Sequence, residues 1–348
     1  MSDTKLRVGI SVGDINGIGL EVIIKTFMDN RMFDYCTPII YGSKQVCGDY
    51  RKNLGIQDFS FNYIPDASNA NPKKANVVEV WKEEVELNIG KSTAQGGIYA
   101  LKSLEAATRD LASSKLDVLV TAPINKKNIQ SEGFNFPGHT EYLADYANVD
   151  NPLMIMTYED LRVATITGHI PLKSVAQTLS MELIIDKIEV FHKSLKTDFL
   201  IERPLIALLG LNPHSGDEGT IGTEEQDVII PAIKKVSEKG IMAFGPYPAD
   251  GFFASSSFQK FDGILSMYHD QGLTPFKTLT FDQGVNYTAG LPIVRTSPDH
   301  GTAYDIAGKG VASESSFRNA IFEAIRIFQN RKDEKKLLEN ALEVKPSK

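Results

Sequence analysis

Cysteine is scarce in this 348-residue chain. Only Cys36 and Cys47 occur, too few for a disulfide framework and not in a zinc pattern. No apolar run approaches the roughly 18 residues that a membrane helix needs. Positive charge is also in deficit, with 37 Lys and Arg against 44 Asp and Glu, a net of −7. That balance argues against a nucleic-acid partner, which needs a clustered basic surface. The N-terminal MSDTKLRVGISVGD lacks the apolar h-region and cleavage site of a signal peptide. The expectation is a cytoplasmic, reduced protein with no membrane partner. No fixed-period repeat or low-complexity tract is visible, and 42% hydrophobic residues suit an ordinary globular core.

What is present is an alternation of short apolar runs with amphipathic stretches. Strands are expected at 7–12, 38–42, 116–123, 205–211, 261–268 and 292–296, with a strand pair over 154–167 turning at Glu159-Asp160. Helices are expected at 19–29, 95–114, 181–195 and 317–329. This pattern argues for an α/β fold with a largely parallel sheet. Thr223-Glu224-Glu225-Gln226 reads as a capping box, with Gly240 stopping the helix it opens. The polar stretch 63–93 reads as a surface excursion, and the last ten or so residues as a frayed end.

The glycine cluster Gly13-Asp14-Ile15-Asn16-Gly17-Ile18-Gly19 follows a strand and opens a helix. Its spacing is G-x-x-x-G-x-G, not the G-x-G-x-x-G of a dinucleotide turn. It reads as a tight strand–helix turn, with a turn lining a substrate cleft, Asp14 inward, as the alternative.

Five of six histidines sit beside Gly or Pro in loops. His169, His214 and His269 each follow an apolar strand candidate, where ligand sites of open α/β sheets form. Together they could complete a catalytic divalent-metal site; three unrelated loop histidines are the alternative. His139-Thr140 opens a helix and offers either an anion site or an ordinary cap. Lys277, Asn286 and Arg295 suit a phosphate or carboxylate, although each, read singly, could be a solvated surface residue.

The segment Ser297–Gly310 (SPDHGTAYDIAGKG) closely resembles the HGSAPDIAGKG loop of isocitrate and 3-isopropylmalate dehydrogenases, which holds the adenosine part of NAD(P). With GDINGIGLE, VTAPINK, FPGHTEYLA, TGHIPL, LNPHSGDEGTIGTEE, GPYPADGFF, YHDQGLTPFK and GVNYTAGLPIVRTS, it makes nearly the whole chain resemble the 4-hydroxythreonine-4-phosphate dehydrogenase family. The resemblance implies an isocitrate/isopropylmalate dehydrogenase-like α/β fold. Two α/β/α subdomains, 1–134 with 286–348 and 135–285, would flank a cleft, in a homodimer with the active site at its interface.

It further implies NAD or NADP as cofactor, with His300, Gly301, Thr302 and Asp305 binding it. A divalent metal (zinc, magnesium or cobalt) would lie on His169, His214 and His269, one of them from the partner subunit. Substrate contacts would fall on His139, Thr140, Lys277, Asn286 and Arg295, with Asp250 near. Catalytic roles would fall to Lys277 and to Asp270, the latter or a water acting as base. The implied reaction oxidises 4-phosphooxy-L-threonine to a β-keto acid that decarboxylates to 3-amino-2-oxopropyl phosphate, in pyridoxal phosphate biosynthesis. The first motif departs from the family's GDPAGIGPE at Ile15, Asn16 and Leu20. That departure bears on the substrate end, so sister dehydrogenases of 4-phospho-D-threonate or 4-phospho-D-erythronate form the near alternative. A phosphate acyltransferase is the distant one.

Overall fold

A computed structural model describes residues 5–130 and 134–339. Its centre is one 12-stranded sheet in the order β3-β4-β2-β1-β5-β12-β11-β6-β7-β10-β8-β9. The strands are β1 (Leu6–Ser11), β2 (Cys36–Gly42), β3 (Asn62–Ile64), β4 (Asn76–Glu79), β5 (Val118–Thr121) and β6 (Leu153–Tyr158). Then follow β7 (Leu161–Thr165), β8 (Leu205–Leu209), β9 (Met242–Tyr247), β10 (Gly263–Ser266), β11 (Val285–Ala289) and β12 (Arg295–Pro298). From β3 to β12 all neighbours are parallel, and so are β7, β10, β8 and β9. The two parallel sets run in opposite senses because β11 and β6, paired antiparallel, lie between them.

The central strands are largely buried because helices cover the sheet. In β2 and β5 every residue is buried. The helices Ala94–Ala112 and Met181–Thr197 begin at Thr93 and Ser180. The hydroxyls of these two residues accept the Gly96 and Leu183 amides, satisfying orphan donors of the first turn. Val8, Ile10, Val120, Phe191, Tyr287 and Phe317 belong to one continuous core.

Several expectations are corrected. Stretch 63–93 is not merely an excursion: it supplies most of β3 and all of β4 at the sheet edge and buries Trp81 and Val85. Strands β9 and β11 lie in stretches left unassigned from sequence, and the strand expected at 292–296 runs Arg295–Pro298. The helix leading to Gly240 opens as a π-helical turn over Glu225–Ile229 with no side-chain cap. Glu225 is buried there and its carboxylate accepts from the Asn212 backbone and side-chain amides, so it anchors a loop and not the helix end. Gly240, at φ +81°, does close that helix region. The frayed end read from the last residues falls on 340–348, outside the described residues.

Candidate active site

Four strands deliver their following loops to one cavity of about 330 Å3. Ala122 to Ile124 and Lys126 follow β5, His169 follows β7, His269 follows β10, and Asp299 to Gly301 follow β12. The start of the helix His139–Tyr146 closes one wall, and Asn286 of β11 another. Of the residues expected from sequence, His139, Thr140, His169, His269, Lys277, Asn286, Arg295, His300 and Gly301 all line this cavity. His214, Asp250, Asp270, Thr302 and Asp305 do not.

Arg295 dominates the electrostatics. It is 2% exposed, and its guanidinium donates only to hydroxyls: Nη2 to Thr121 Oγ1 at 2.6 Å, Nε to the same oxygen at 3.0 Å, and Nη1 to Thr288 Oγ1 at 3.2 Å. Burial pulls its pKa down, yet a guanidinium starts so high that it stays charged at neutral pH. A buried cation without a carboxylate partner carries a desolvation cost of several kcal/mol, by order of magnitude.

Three more groups on the cavity wall are incomplete. His139 Nε2, Asn286 Oδ1 and His300 Nε2 are buried without a hydrogen-bond partner. Buried polar atoms normally have one, so this cluster is built for partners that a ligand brings. Thr140 Oγ1 lies 3.3 Å from Thr288 Oγ1 and sits on the helix start, where free amides favour an anion.

Three of the imidazoles are disfavoured as cations. Burial, then Arg295 and Lys126, push His139 well below its ordinary value. Burial, then Lys126 and His269, lower His169, and burial lowers His300. Lys126 Nζ stands 3.3 Å from His169 Nε2; an ammonium only donates, so this nitrogen carries a lone pair. The exposed Asp270 carboxylate lies 2.7 Å from His269 Nδ1. An ionised carboxylate only accepts, so Nδ1 donates and Asp270 orients the ring. The two rings are 5.4 Å apart. His214 is exposed on the left-handed turn Pro213–Gly219. Among the described residues no three His, Cys, Asp or Glu side chains gather in one chain as a metal group would.

Sequence reasoning missed Thr121, Lys126, Glu141 and Asp299, which also line the cavity. Asp299 pairs with Lys277 at 2.8 Å, and burial, opposed by Lys277, raises its pKa. Lys126 had a signal, a lysine just past a strand end in a Pro-containing loop; a strand-terminal threonine such as Thr121 has none. The glycine cluster proves to be a turn beside the site. Gly13, at φ +67°, leaves no room for a Cβ, which would stand 2.2 Å from the Pro123 carbonyl oxygen. Ile15, Asn16 and Leu20 are wholly buried and absent from the cavity wall. Asn16 instead donates to Thr93 Oγ1 and accepts from the Asn88 amide, so the departure in this motif is structural.

The family model described as pyridoxal phosphate biosynthetic protein PdxA matches residues 34–324. The chain belongs to the PdxA family. A 4-hydroxythreonine-4-phosphate dehydrogenase of Bacteroides thetaiotaomicron is 53% identical, over 98% of this chain and 94% of its own length. Among solved structures, the 4-hydroxythreonine-4-phosphate dehydrogenase of Klebsiella pneumoniae is 33% identical, covers 94% of this chain and 100% of its own, and superposes with a TM-score of 0.81. That from Burkholderia phymatum is 35% identical, with coverage of 93% and 99% and a TM-score of 0.76. Membership of the PdxA family places the chain among dehydrogenases, and the α/β fold is the one these relatives share.

Proposed function

We propose that this chain oxidises 4-phosphooxy-L-threonine with NAD+ or NADP+, giving a β-keto acid that loses carbon dioxide to 3-amino-2-oxopropyl phosphate. The observation that carries this reading is the buried, carboxylate-free Arg295 among the unpartnered polar atoms of His139, Asn286 and His300. Such a cavity favours a small polyanion with hydroxyl and amine groups. Lys277 is tied to Asp299, so Arg295 and Lys126 remain as cations against the single carboxylate of Glu141. A phosphate or carboxylate on Arg295 would gain charge-assisted hydrogen bonds. Thr140 and the helix start fit the same anion.

His169 and His269 have the chemistry of metal ligands, two imidazoles facing one cavity with Asp270 orienting one of them. They would hold a divalent metal (zinc, magnesium or cobalt), and a three-histidine set then takes His214 from a second copy of the chain. That arrangement supports a homodimer with the site at its interface. A metal bound there supplies Lewis-acid polarisation of the hydroxyl undergoing oxidation. Asp270 is engaged at His269 and lies outside the cavity, so we assign it ring orientation and not proton removal. The adenosine end of the dinucleotide would lie along His300, Gly301, Thr302 and Asp305, where the unpartnered His300 Nε2 marks the cavity end of the loop. We assign two subdomains, 1–134 with 286–348 and 135–285, and the support is the reversal of strand direction across β11 and β6 between the two parallel sets. Two buried free cysteines suit a reducing compartment such as the cytoplasm, and no described helix is long and apolar enough to cross a membrane.

The test is reduced-dinucleotide formation from 4-phosphooxy-L-threonine with added divalent metal, with and without chelator. Chelator-sensitive turnover is expected, and His214→Ala should abolish it while the protein stays folded. Turnover only with 4-phospho-D-threonate or 4-phospho-D-erythronate would move the chain to the sister activity. Silence with all three would overturn the dehydrogenase reading.

A further inference from the structure

The loop from His300 to Ala312 contains no helix or strand; inside it Ile306 N donates to Ala303 O and Lys309 N to Ile306 O, and its ends are placed from outside. The glycine turn and the helix after it do this. Ile18 N donates to Thr302 O at 3.0 Å. Tyr304 Oη donates to Asp14 Oδ2 at 2.7 Å. Gly17 lies flat against Thr302, where a Cβ would stand 2.8 Å from the carbonyl oxygen. The third foothold is Glu21, which has no exposed surface. Its Oε2 accepts the Gly308 amide and its Oε1 the Ala312 amide, each at 2.9 Å.

One carboxylate therefore fixes two amides four residues apart, on either side of Gly310. Glu21 forms no ion pair among the described residues; the nearby Lys25 reaches Glu314 and the Ala312 carbonyl. A buried carboxylate without a cation is costly unless charge-assisted bonds to backbone amides offset it. Such a residue makes sense where the geometry of the amide-bearing loop matters.

We propose that Glu21 is a positioning residue for the dinucleotide: by pinning both ends of the 308–312 turn it sets cofactor affinity without touching the cofactor. This rests on the reading of the 300–310 loop as the adenosine holder, and the experiment separates the two. Binding of NAD+ and NADP+ to the intact protein, without substrate, is measured by calorimetry for the wild type and Glu21→Gln. Glutamine keeps the volume but has one oxygen, so one amide faces an NH2 donor. The dissociation constant for the preferred dinucleotide should rise at least about tenfold, with inorganic phosphate binding at the Arg295 cavity unchanged. A purely architectural role would weaken both ligands together and lower the unfolding temperature.

Should Glu21→Gln fail to fold, Tyr304→Phe removes one partly exposed foothold. It should raise the same constant about threefold with an unchanged melting temperature. Equal dinucleotide binding by wild type and the folded variant overturns the inference and leaves the cofactor reading intact. No binding of either dinucleotide to the wild type overturns both.

Discussion

Two arginines flank strand β11, Arg295 buried and Arg331 half-buried, and they live in opposite chemical worlds. Arg331 gives Nε to Asp198 Oδ1 at 2.6 Å and Nη2 to Tyr287 Oη at 2.9 Å. Tyr287 and Ser194 complete the Asp198 carboxylate at 2.7 and 2.6 Å. Arg295 has two threonine hydroxyls and no carboxylate. Along β11 the residues alternate: Asn286 lines the cavity and Thr288 holds Arg295, while Tyr287 between them joins the Arg331 network. The period-2 pleat separates them. The satisfied network is architecture, because every charge is answered within the chain. The unsatisfied one marks the place where an outside molecule is expected, because its cation lacks a carboxylate and three of its polar atoms lack hydrogen-bond partners.

Substitutions can break this contrast. Asp198→Ala strands the Arg331 charge and should cost about 3–5 kcal/mol of folding stability, read by urea unfolding. Activity per folded molecule should change little. Arg295→Met should do the reverse. The kcat/KM is expected to fall about 100-fold, some 2.7 kcal/mol of lost binding in the transition state, with stability equal or higher because an uncompensated buried charge is gone. Equal stability losses in the two variants would erase the distinction. Inorganic phosphate sharpens it further. At ten times its dissociation constant it should stabilise the wild type by about 1.4 kcal/mol and Arg295→Met not at all.

The remaining effect is that of pH. His139, His169 and His300 are held below the ordinary histidine value of 6.5. Below that value the unfolded chain binds more protons than the folded one. Stability should therefore fall as pH drops below about 6.5, by at most about 1.4 kcal/mol per pH unit for each ring, and level off below the folded values. Unfolding at pH 7.5 and 5.5 checks the sign.

Much of the site was legible in sequence because loop residues after apolar runs betray their place. His169 and His269 were picked out this way, and Arg295 as a cation in a glycine-rich, otherwise apolar stretch. The α/β class followed from alternation. The capping box at Thr223 failed because tertiary demand for the Glu225 carboxylate outweighed the local motif. Strands β3 and β9 failed because edge strands with one wet face lack the continuous apolar signature. Thr121 and Thr288 could not be found at all: their importance comes from Arg295 lying between them, a long-range fact with no local trace.

The position of β12 has a consequence for synthesis on the ribosome. Strands β1 to β5 are complete once residue 121 has emerged, yet the outer edge of β5 is covered only when Arg295 and Thr296 arrive to pair with Leu119 and Val120. Until then the nascent chain carries an open, wholly apolar strand edge, Val118 to Val120, of the kind that recruits other strands. The protein's most vulnerable moment is thus a translational interval, set by the distance between two neighbours in the sheet.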